Sequence, residues 1–227
     1  MNKLVAALAA LLLGTILSTA GCANAGEPHR AAVGTAVPRI FTAGDSITAG
    51  GPPWAPQETS YPEALAAACG NECQVTNLGH PGACLLLDGC FYPTRLRESL
   101  REQAWPGARP GDIAVVMIGA NDLGGFNTTD AYVDRLRDIR RDGRKAGVRV
   151  VFGTITPAHE FWPPRCEEQR QEINAWIRQQ PGSIDFASVL ESSTGELRAR
   201  YDSGDGLHPN SRAYRAMGRY AWKALAA

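Results

Sequence analysis

Arg39-Ile40-Phe41-Thr42-Ala43-Gly44-Asp45-Ser46-Ile47-Thr48 is the stretch that decides the fold. Its apolar run is typical of a buried strand, and it ends in a glycine, an acid and a serine. A strand-to-helix turn of this kind can expose the Ser46 hydroxyl and point the Ser46 N–H toward a developing oxyanion. A catalytic serine also needs a histidine base, an orienting carboxylate and further oxyanion donors. The alternative is that Asp45 and Ser46 only cap a helical turn.

Short apolar runs alternate with helical patterns after this turn, which predicts a parallel sheet covered by helices on both faces. We predict strands at 39–43, 74–78, 113–118, 148–155 and 183–186. We predict helices at 64–69 behind a Ser60 capping box, at 94–105, 129–145 and 167–180, and from Asn210 or Ser211 to the C-terminus.

Polar or small residues follow four of the predicted strands. Ser46 follows the first strand, Gly79 the second and Asn121 the third, and His208 follows the fifth through a longer connection. The crevice of an open parallel sheet lies outside the carboxyl ends of its strands. We therefore expect these four residues to meet at one edge.

These four residues and Asp205 include candidates for the histidine base, its carboxylate and the oxyanion donors. In Asp205-Gly206-Leu207-His208, the carboxylate can reach the second ring nitrogen of the histidine across a tight turn, although Asp-Gly and His-Pro are also ordinary turn dipeptides. The N–H groups of Ser46 and Gly79 and the Asn121 amide are the candidate oxyanion donors. The simpler alternatives are a turn-forming asparagine and a strand-ending glycine. A histidine base predicts that hydrolysis fades below a pH of about 6.5.

Four short blocks of this sequence occur in the order of a known family. They are Gly44-Asp45-Ser46-Ile47, Asn77-Leu78-Gly79, Gly119-Ala120-Asn121-Asp122 and Asp205-Gly206-Leu207-His208. Since the chain has no Gly-x-Ser-x-Gly elbow, an ordinary α/β-hydrolase arrangement is disfavoured. From about residue 39 to 222 the chain resembles the SGNH (GDSL) hydrolases. The resemblance implies a flavodoxin-like three-layer α/β/α sandwich with a five-stranded parallel sheet, and ester hydrolysis through an acyl-enzyme without metal or cofactor.

Three further segments, 154–157, 173–178 and 201–205, are most similar to the branch of that family described as acetylxylan-esterase-like or lysophospholipase-like. This resemblance implies a small acyl group, such as acetyl, on a carbohydrate or a similar alcohol. The alternatives are a lysophospholipase or thioesterase for longer acyl chains, and a surface binding protein without turnover. Four loop aromatics are candidate substrate contacts, although they could simply pack under their loops: Trp54, Phe126, Phe161 and Trp162.

Length and charge limit the kinds of partner. The 227 residues suffice for one domain with a full core, and the 23 basic side chains balance the 23 acidic ones. A nucleic-acid partner is therefore disfavoured. We expect a monomer that acts on a small-molecule or glycan ester.

The N-terminus resembles an export signal. Met1-Asn2-Lys3 is followed by the apolar stretch 4–20, which is somewhat short for the roughly 20 residues of a membrane-spanning anchor. Cleavage before a lipidated Cys22 and cleavage after Ala23-Asn24-Ala25 both fit the pattern. We predict a signal peptide at 1–25, a linker at 26–38 and a hydrolase domain at 39–227, in a protein that is secreted or lipid-anchored outside a bacterial membrane.

Either cleavage leaves five cysteines available for pairing, since Cys22 is either lipidated or removed, and export favours disulfides. Proximity suggests pairing Cys69 with Cys73 and Cys84 with Cys90, which leaves Cys166 free. Zinc binding by the first four is the alternative, but spacings of three, ten and five intervening residues match no ordinary ligand pattern.

Overall fold

The computed structural model describes residues 37–86, 92, 94–124, 128–159 and 161–227. Within them, four parallel strands form one sheet in the order β2-β1-β3-β4. The strands are β1 (Arg39–Gly44), β2 (Gln74–Gly79), β3 (Ile113–Met117) and β4 (Arg149–Phe152). The predicted parallel α/β fold is confirmed.

Helices connect and flank the strands. They are α1 (Ser46–Ala49), α2 (Tyr61–Cys69), α3 (Arg95–Ser99), α4 (Thr129–Ala146), α5 (Pro164–Arg178), α6 (Phe186–Leu190) and α7 (Ser211–Leu225). A π-helical segment, Leu100–Ala104, continues α3, and 3-10 turns occupy Gly70–Glu72 and Ala199–Tyr201.

The expectation of a fifth strand at 183–186 is wrong. Only Ile184 pairs with the sheet, in an isolated parallel bridge to Gly153. On one side, Ser183 N–H donates to the Gln180 carbonyl in a turn. On the other side, the Asp185 side chain caps α6. Because these local hydrogen bonds leave one extended residue between them, no ladder can form.

Two apolar cores cover the faces of the sheet, because alternate residues of a strand point in opposite directions. Ile40 of β1 packs in one core with residues of α2, α6 and α7. Its neighbour Phe41 packs in the other with residues of α3, α4 and α5. Burying a large apolar side chain contributes roughly 2 kcal/mol, so these two sets of side chains fix the helix–sheet–helix layers.

The start of α7 determines where the loop before it lies. Asn210 caps the helix by accepting from Ala213 N–H at 3.1 Å, and its amide donates to the Arg200 and Asp202 carbonyls, each at 3.0 Å. Farther along, a Cβ at Gly218 would lie 2.5 Å from Ala64 Cβ on α2, so α7 and α2 are closely packed. The packing of α7 on the sheet therefore positions the loop that carries His208.

The cysteines are placed as follows. Cys69 and Cys73 form a disulfide, and Cys166 is a buried free thiol. Cys90 lies outside the described residues, so its pairing with Cys84 stays a prediction.

Where side chains are described, no group of three or more His, Cys, Asp or Glu residues is arranged to hold a metal ion. No helix in the described ranges is long and apolar enough to cross a bilayer.

Candidate active site

Ser46 begins α1 directly after β1. Asp45 caps this short helix by accepting from Ile47 N–H at 2.9 Å, and Gly50, with φ 110°, ends it by donating to the Ser46 carbonyl at 3.0 Å. A side chain at Gly44 would collide with the Met117 carbonyl and the Thr48 hydroxyl. The glycine before the acid therefore lets β1 turn sharply into α1 while it stays in contact with β3.

The structure brings Ser46, His208 and Asp205 together. Ser46 Oγ lies 2.8 Å from His208 Nε2, although the two residues are 162 positions apart in sequence. His208 Nδ1 lies 2.6 Å from Asp205 Oδ2. This is the nucleophile–base–carboxylate geometry of a catalytic triad. Ser46 and His208 are only 8% and 6% exposed, so little water competes for these bonds.

The Asp205 carboxylate is held by its own turn. Its Oδ1 accepts from the backbone N–H groups of Leu207 and His208 at 2.9 and 2.8 Å. Burial raises the pKa of this carboxyl, but the hydrogen bonds from His208 and Leu207 outweigh it, so the pKa lies below its ordinary value. Asp205 is therefore ionised at neutral pH and can fix the orientation of the imidazole.

A neighbouring loop braces the same turn. His159 N–H donates to the Gly206 carbonyl at 2.7 Å. Gly206 has φ 75°, and a Cβ there would lie 2.5 Å from the His159 carbonyl oxygen, so this position accepts only glycine without movement. The loop after β4 is thus bonded directly to the segment between Asp205 and His208.

Two of the predicted oxyanion donors, the Asn121 amide and the Gly79 N–H, already donate to other groups in the protein. Asn121 Nδ2 donates one hydrogen to the Ala83 carbonyl at 2.8 Å, and the amide has a second hydrogen. The single N–H of Gly79 donates to Asn77 Oδ1 at 2.9 Å, so binding an oxyanion would require this bond to break. Gly79 has a packing reason to be glycine as well, since a Cβ would collide with the backbone N of Ala49. Its role as a donor stays a prediction.

Gly82 is a further glycine near the predicted oxyanion donors, and the sequence motifs did not indicate it. This residue has φ 77° and lies in the turn closed by Ala83 N–H donating to the His80 carbonyl at 2.9 Å. The Asn121 amide is bonded to that same turn through the Ala83 carbonyl. Gly82 is therefore a candidate oxyanion donor in the turn that the Asn121 amide contacts. The sequence signal for it was a further glycine three residues beyond Gly79.

Two buried carboxylates, Asp45 and Asp122, connect the segments around the site. The structural role of Asp122 was not predicted from sequence. Its carboxylate accepts from Leu85 N–H at 3.0 Å and Leu86 N–H at 2.8 Å, which ties the Asn121 segment to the chain after β2. Burial raises the pKa of Asp122 to about 6. Burial, together with the charge of Asp122, raises the pKa of Asp45 to about 7, against the opposing effect of hydrogen bonds from Ile47 and Ala120. The sequence does carry a signal for both carboxylates, because Asp45 directly precedes Ser46 and Asp122 directly follows Asn121.

The candidate substrate aromatics lie in different settings. Phe161 is 51% exposed and meets Trp162 edge-on with ring centroids 6.3 Å apart. Both line a cavity of about 210 Å³ together with Thr194 and Glu196. Trp54 is 83% exposed, so it does not simply pack under its loop. Phe126 lies outside the described residues.

The fold and the site define a class: a three-layer α/β/α protein with a Ser–His–Asp triad at the carboxyl edge of a parallel sheet. The sequence model of the GDSL-like lipase/acylhydrolase family matches residues 42–216. The chain belongs to this family of ester-hydrolysing enzymes. No curated protein sequence matches the chain.

Solved structures of the same fold are distant in sequence. A member of the lipolytic protein G-D-S-L family from Veillonella parvula is 21% identical, with a TM-score of 0.63 over 82% of this chain and 96% of that one. An acetylxylan esterase from Geobacillus stearothermophilus is 18% identical, with a TM-score of 0.60 over 83% and 94% of the two chains. A GDSL-like lipase from Bacteroides thetaiotaomicron is 18% identical, with a TM-score of 0.57 over 83% and 87%. At these identities the likeness concerns the fold.

Proposed function

We propose that the protein is a serine esterase that cleaves carboxylic esters through an acyl-enzyme on Ser46. The observation that carries the proposal is the continuous contact from Ser46 Oγ to His208 Nε2 at 2.8 Å and from His208 Nδ1 to Asp205 at 2.6 Å. A serine hydroxyl needs such a base to attack an ester carbonyl.

The proposed steps follow from these positions. Ser46 Oγ attacks the carbonyl carbon while His208 Nε2 takes the hydroxyl proton, and Asp205 stabilises the imidazolium that forms. His208 then gives the proton to the leaving alkoxide, which departs as the alcohol and leaves the acyl group on Ser46. Water, deprotonated by His208, attacks this ester and releases the carboxylic acid and free Ser46.

The oxyanion of each tetrahedral intermediate needs hydrogen-bond donors. We assign two of these donors as the Ser46 N–H at the start of α1 and the second hydrogen of the Asn121 amide. The third donor is a glycine N–H at or just beyond the end of β2. Gly79 is the glycine predicted from sequence, and Gly82 is the one whose turn contacts Asn121.

We further propose a small acyl group, such as acetyl, on a carbohydrate alcohol. The small acyl group is supported by the resemblance to the acetylxylan-esterase-like branch. The carbohydrate alcohol is supported by the cavity beside the catalytic turn, which combines aromatic faces with polar groups, as sugar rings require. Phe161 and Trp162 offer the faces, and Thr194 and Glu196 offer hydrogen-bonding oxygens. The loop that carries the aromatics is bonded to Gly206 through His159.

The test of the mechanism is labelling by a fluorophosphonate probe, with wild type and Ser46→Ala compared. We expect labelling and esterase activity in the wild type only. Retained labelling in Ser46→Ala would refute the assignment, and a labelled wild type that hydrolyses no ester would favour the binding-protein alternative.

The test of the acyl group is a series of esters of one alcohol, from acetyl to octanoyl and longer. If the acyl group is small, as proposed, the site has no room for a long chain, and kcat/KM should be highest for acetyl. A maximum at octanoyl or beyond would instead support the lysophospholipase or thioesterase alternative.

We also propose that the protein is exported and acts as a monomer outside the cell membrane. The support is the signal-like N-terminus described above. The intact mass of the mature protein distinguishes a lipidated Cys22 from a chain that begins at Gly26. The molar mass in solution, measured by light scattering, tests whether the protein is a monomer.

A further inference from the structure

A second cavity lies at the end of the sheet opposite the triad. Its volume is about 520 Å³, and its lining includes Arg140, Arg144, Arg149, Val148 and Gly182. Arg149 is the first residue of β4, whereas Ser46 follows the last residue of β1. Since the strands are parallel, this cavity is separate from the esterase site.

The arginines of this cavity differ from other arginines on α4. Arg137 and Arg141, which also lie on that helix, pair with Asp134 at 2.7 Å and Asp138 at 2.8 Å. In the described part of the chain, none of the three cavity arginines has a carboxylate within ion-pair distance, and no acidic residue lines the cavity.

One of the cavity arginines is held rigidly. The Arg140 guanidinium lies 4.5 Å from the centre of the Phe152 ring and donates to Gln180 Oε1 at 2.7 Å. Burial, and then the like charge of Arg144, lower its pKa from the ordinary value. A planar donor group is thus fixed in place at an electrostatic cost that a bound anion would relieve.

Stabilisation of a helix end explains only part of this cluster. Cations in the last turn of a helix interact favourably with its dipole, which accounts for Arg144 and Lys145 on α4. Arg140 lies a turn earlier and Arg149 lies on a strand. The convergence of all three on one cavity therefore needs another reason.

We propose that this cavity binds a phosphate or sulfate group carried by a larger molecule. Guanidinium groups match tetrahedral oxyanions through paired, charge-assisted hydrogen bonds. The volume of about 520 Å³ falls within the roughly 300–1,000 Å³ typical of small-molecule sites, so there is room for an organic carrier beside the anion.

Calorimetric titration at constant ionic strength tests the proposal, with inorganic phosphate, sulfate and glycerol 3-phosphate as separate probes. We expect saturable binding to the wild type, and tighter binding of glycerol 3-phosphate than of inorganic phosphate, because the carrier also contacts the cavity. In Arg144→Gln/Arg149→Gln the affinity should fall roughly tenfold or more. In the matched control, Arg137→Gln/Arg141→Gln, it should stay unchanged.

Three results would overturn the proposal: no saturable binding to the wild type, equal weakening in both double variants, or tight binding retained without Arg144 and Arg149. If the double variant does not fold, the single variants Arg144→Gln and Arg149→Gln take its place. Ester hydrolysis by Arg144→Gln/Arg149→Gln should equal that of the wild type, because neither arginine contacts the triad. Failure here therefore leaves the proposed esterase mechanism intact.

Discussion

The two sides of the candidate active site are built differently. On the base side, Asp205 and His208 lie three residues apart, and one turn supplies the bonds that hold the carboxylate. On the oxyanion side, Asn121 and the glycines at and beyond the end of β2 come from separate segments, which are joined through Ala83 and the buried Asp122. The base side thus depends on local backbone geometry, whereas the oxyanion side depends on buried contacts between distant segments.

The largest expected effect is on the base side. Asp205→Asn keeps the size of the side chain but removes the charge that stabilises the His208 imidazolium. We expect kcat to fall by about 10⁴ with KM little changed. Steady-state kinetics on a soluble acetyl ester measure this, with thermal melting as the control for folding. A fall of less than about tenfold would show that Asp205 does not orient the base.

The next largest effect is on the pH dependence of stability, to which the buried carboxyl of Asp45 contributes. The pKa of Asp45 is raised to about 7 in the folded protein, against an ordinary value of 3.8. Its contribution to stability is therefore fully present below pH 3.8 and is lost as the pH rises toward about 7. At about 1.4 kcal/mol per pKa unit, the loss is at most about 4 kcal/mol.

Asp45→Asn removes this titration. We expect the free energy of unfolding of the variant, relative to wild type, to rise between pH 4 and pH 7.5. Denaturant unfolding across that range measures the difference. Asp205 contributes with the opposite sign, but it is present in both proteins and cancels in the comparison. Asp122 is repelled by the Asp45 charge, so the loss of that repulsion in Asp45→Asn adds to the difference with the same sign. A difference that does not change with pH would contradict the prediction.

A substitution on the oxyanion side should lower kcat less than Asp205→Asn does on the base side. Asn121→Ala removes one donor, and we expect kcat to fall by roughly 10² to 10³ with a small change in KM. Asn77→Ala is the matched comparison, because it frees the Gly79 N–H. If Gly79 is the glycine donor, this variant should retain or gain activity. Unchanged kcat in Asn121→Ala would remove the amide from the mechanism.

The smallest expected effect concerns the aromatic cavity next to the base side. Phe161→Ala should raise KM for an acetylated sugar severalfold and leave hydrolysis of a small aryl acetate unchanged, since only the sugar reaches the cavity. Tyr220→Ala is the control, because Tyr220 is an exposed aromatic on α7. Equal effects on both esters would show that Phe161 supports the loop and does not bind the alcohol.

Short-range patterns predicted the elements well where local and tertiary preferences agree. The Ser60 capping box and the Asn210 cap both form as predicted, because each involves residues three positions apart. The strand at 183–186 failed for the opposite reason. Ile184 and Phe186 are buried, as an apolar strand would require, but hydrogen bonds of Ser183 and Asp185 to nearby residues limit the segment to one bridge.

By itself, the sequence determined the order of the four strands and the long helices, the residue types of the triad and the family to which they belong. The reason is that hydrophobic periodicity, helix caps and motif spacing are local properties. Only the tertiary structure decided that Ser46 Oγ and His208 Nε2 lie 2.8 Å apart, that Gly79 N–H is already bonded, and that three arginines share one cavity. Contacts of this kind depend on how the helices pack on the sheet. No local pattern specifies that packing to within the length of a hydrogen bond.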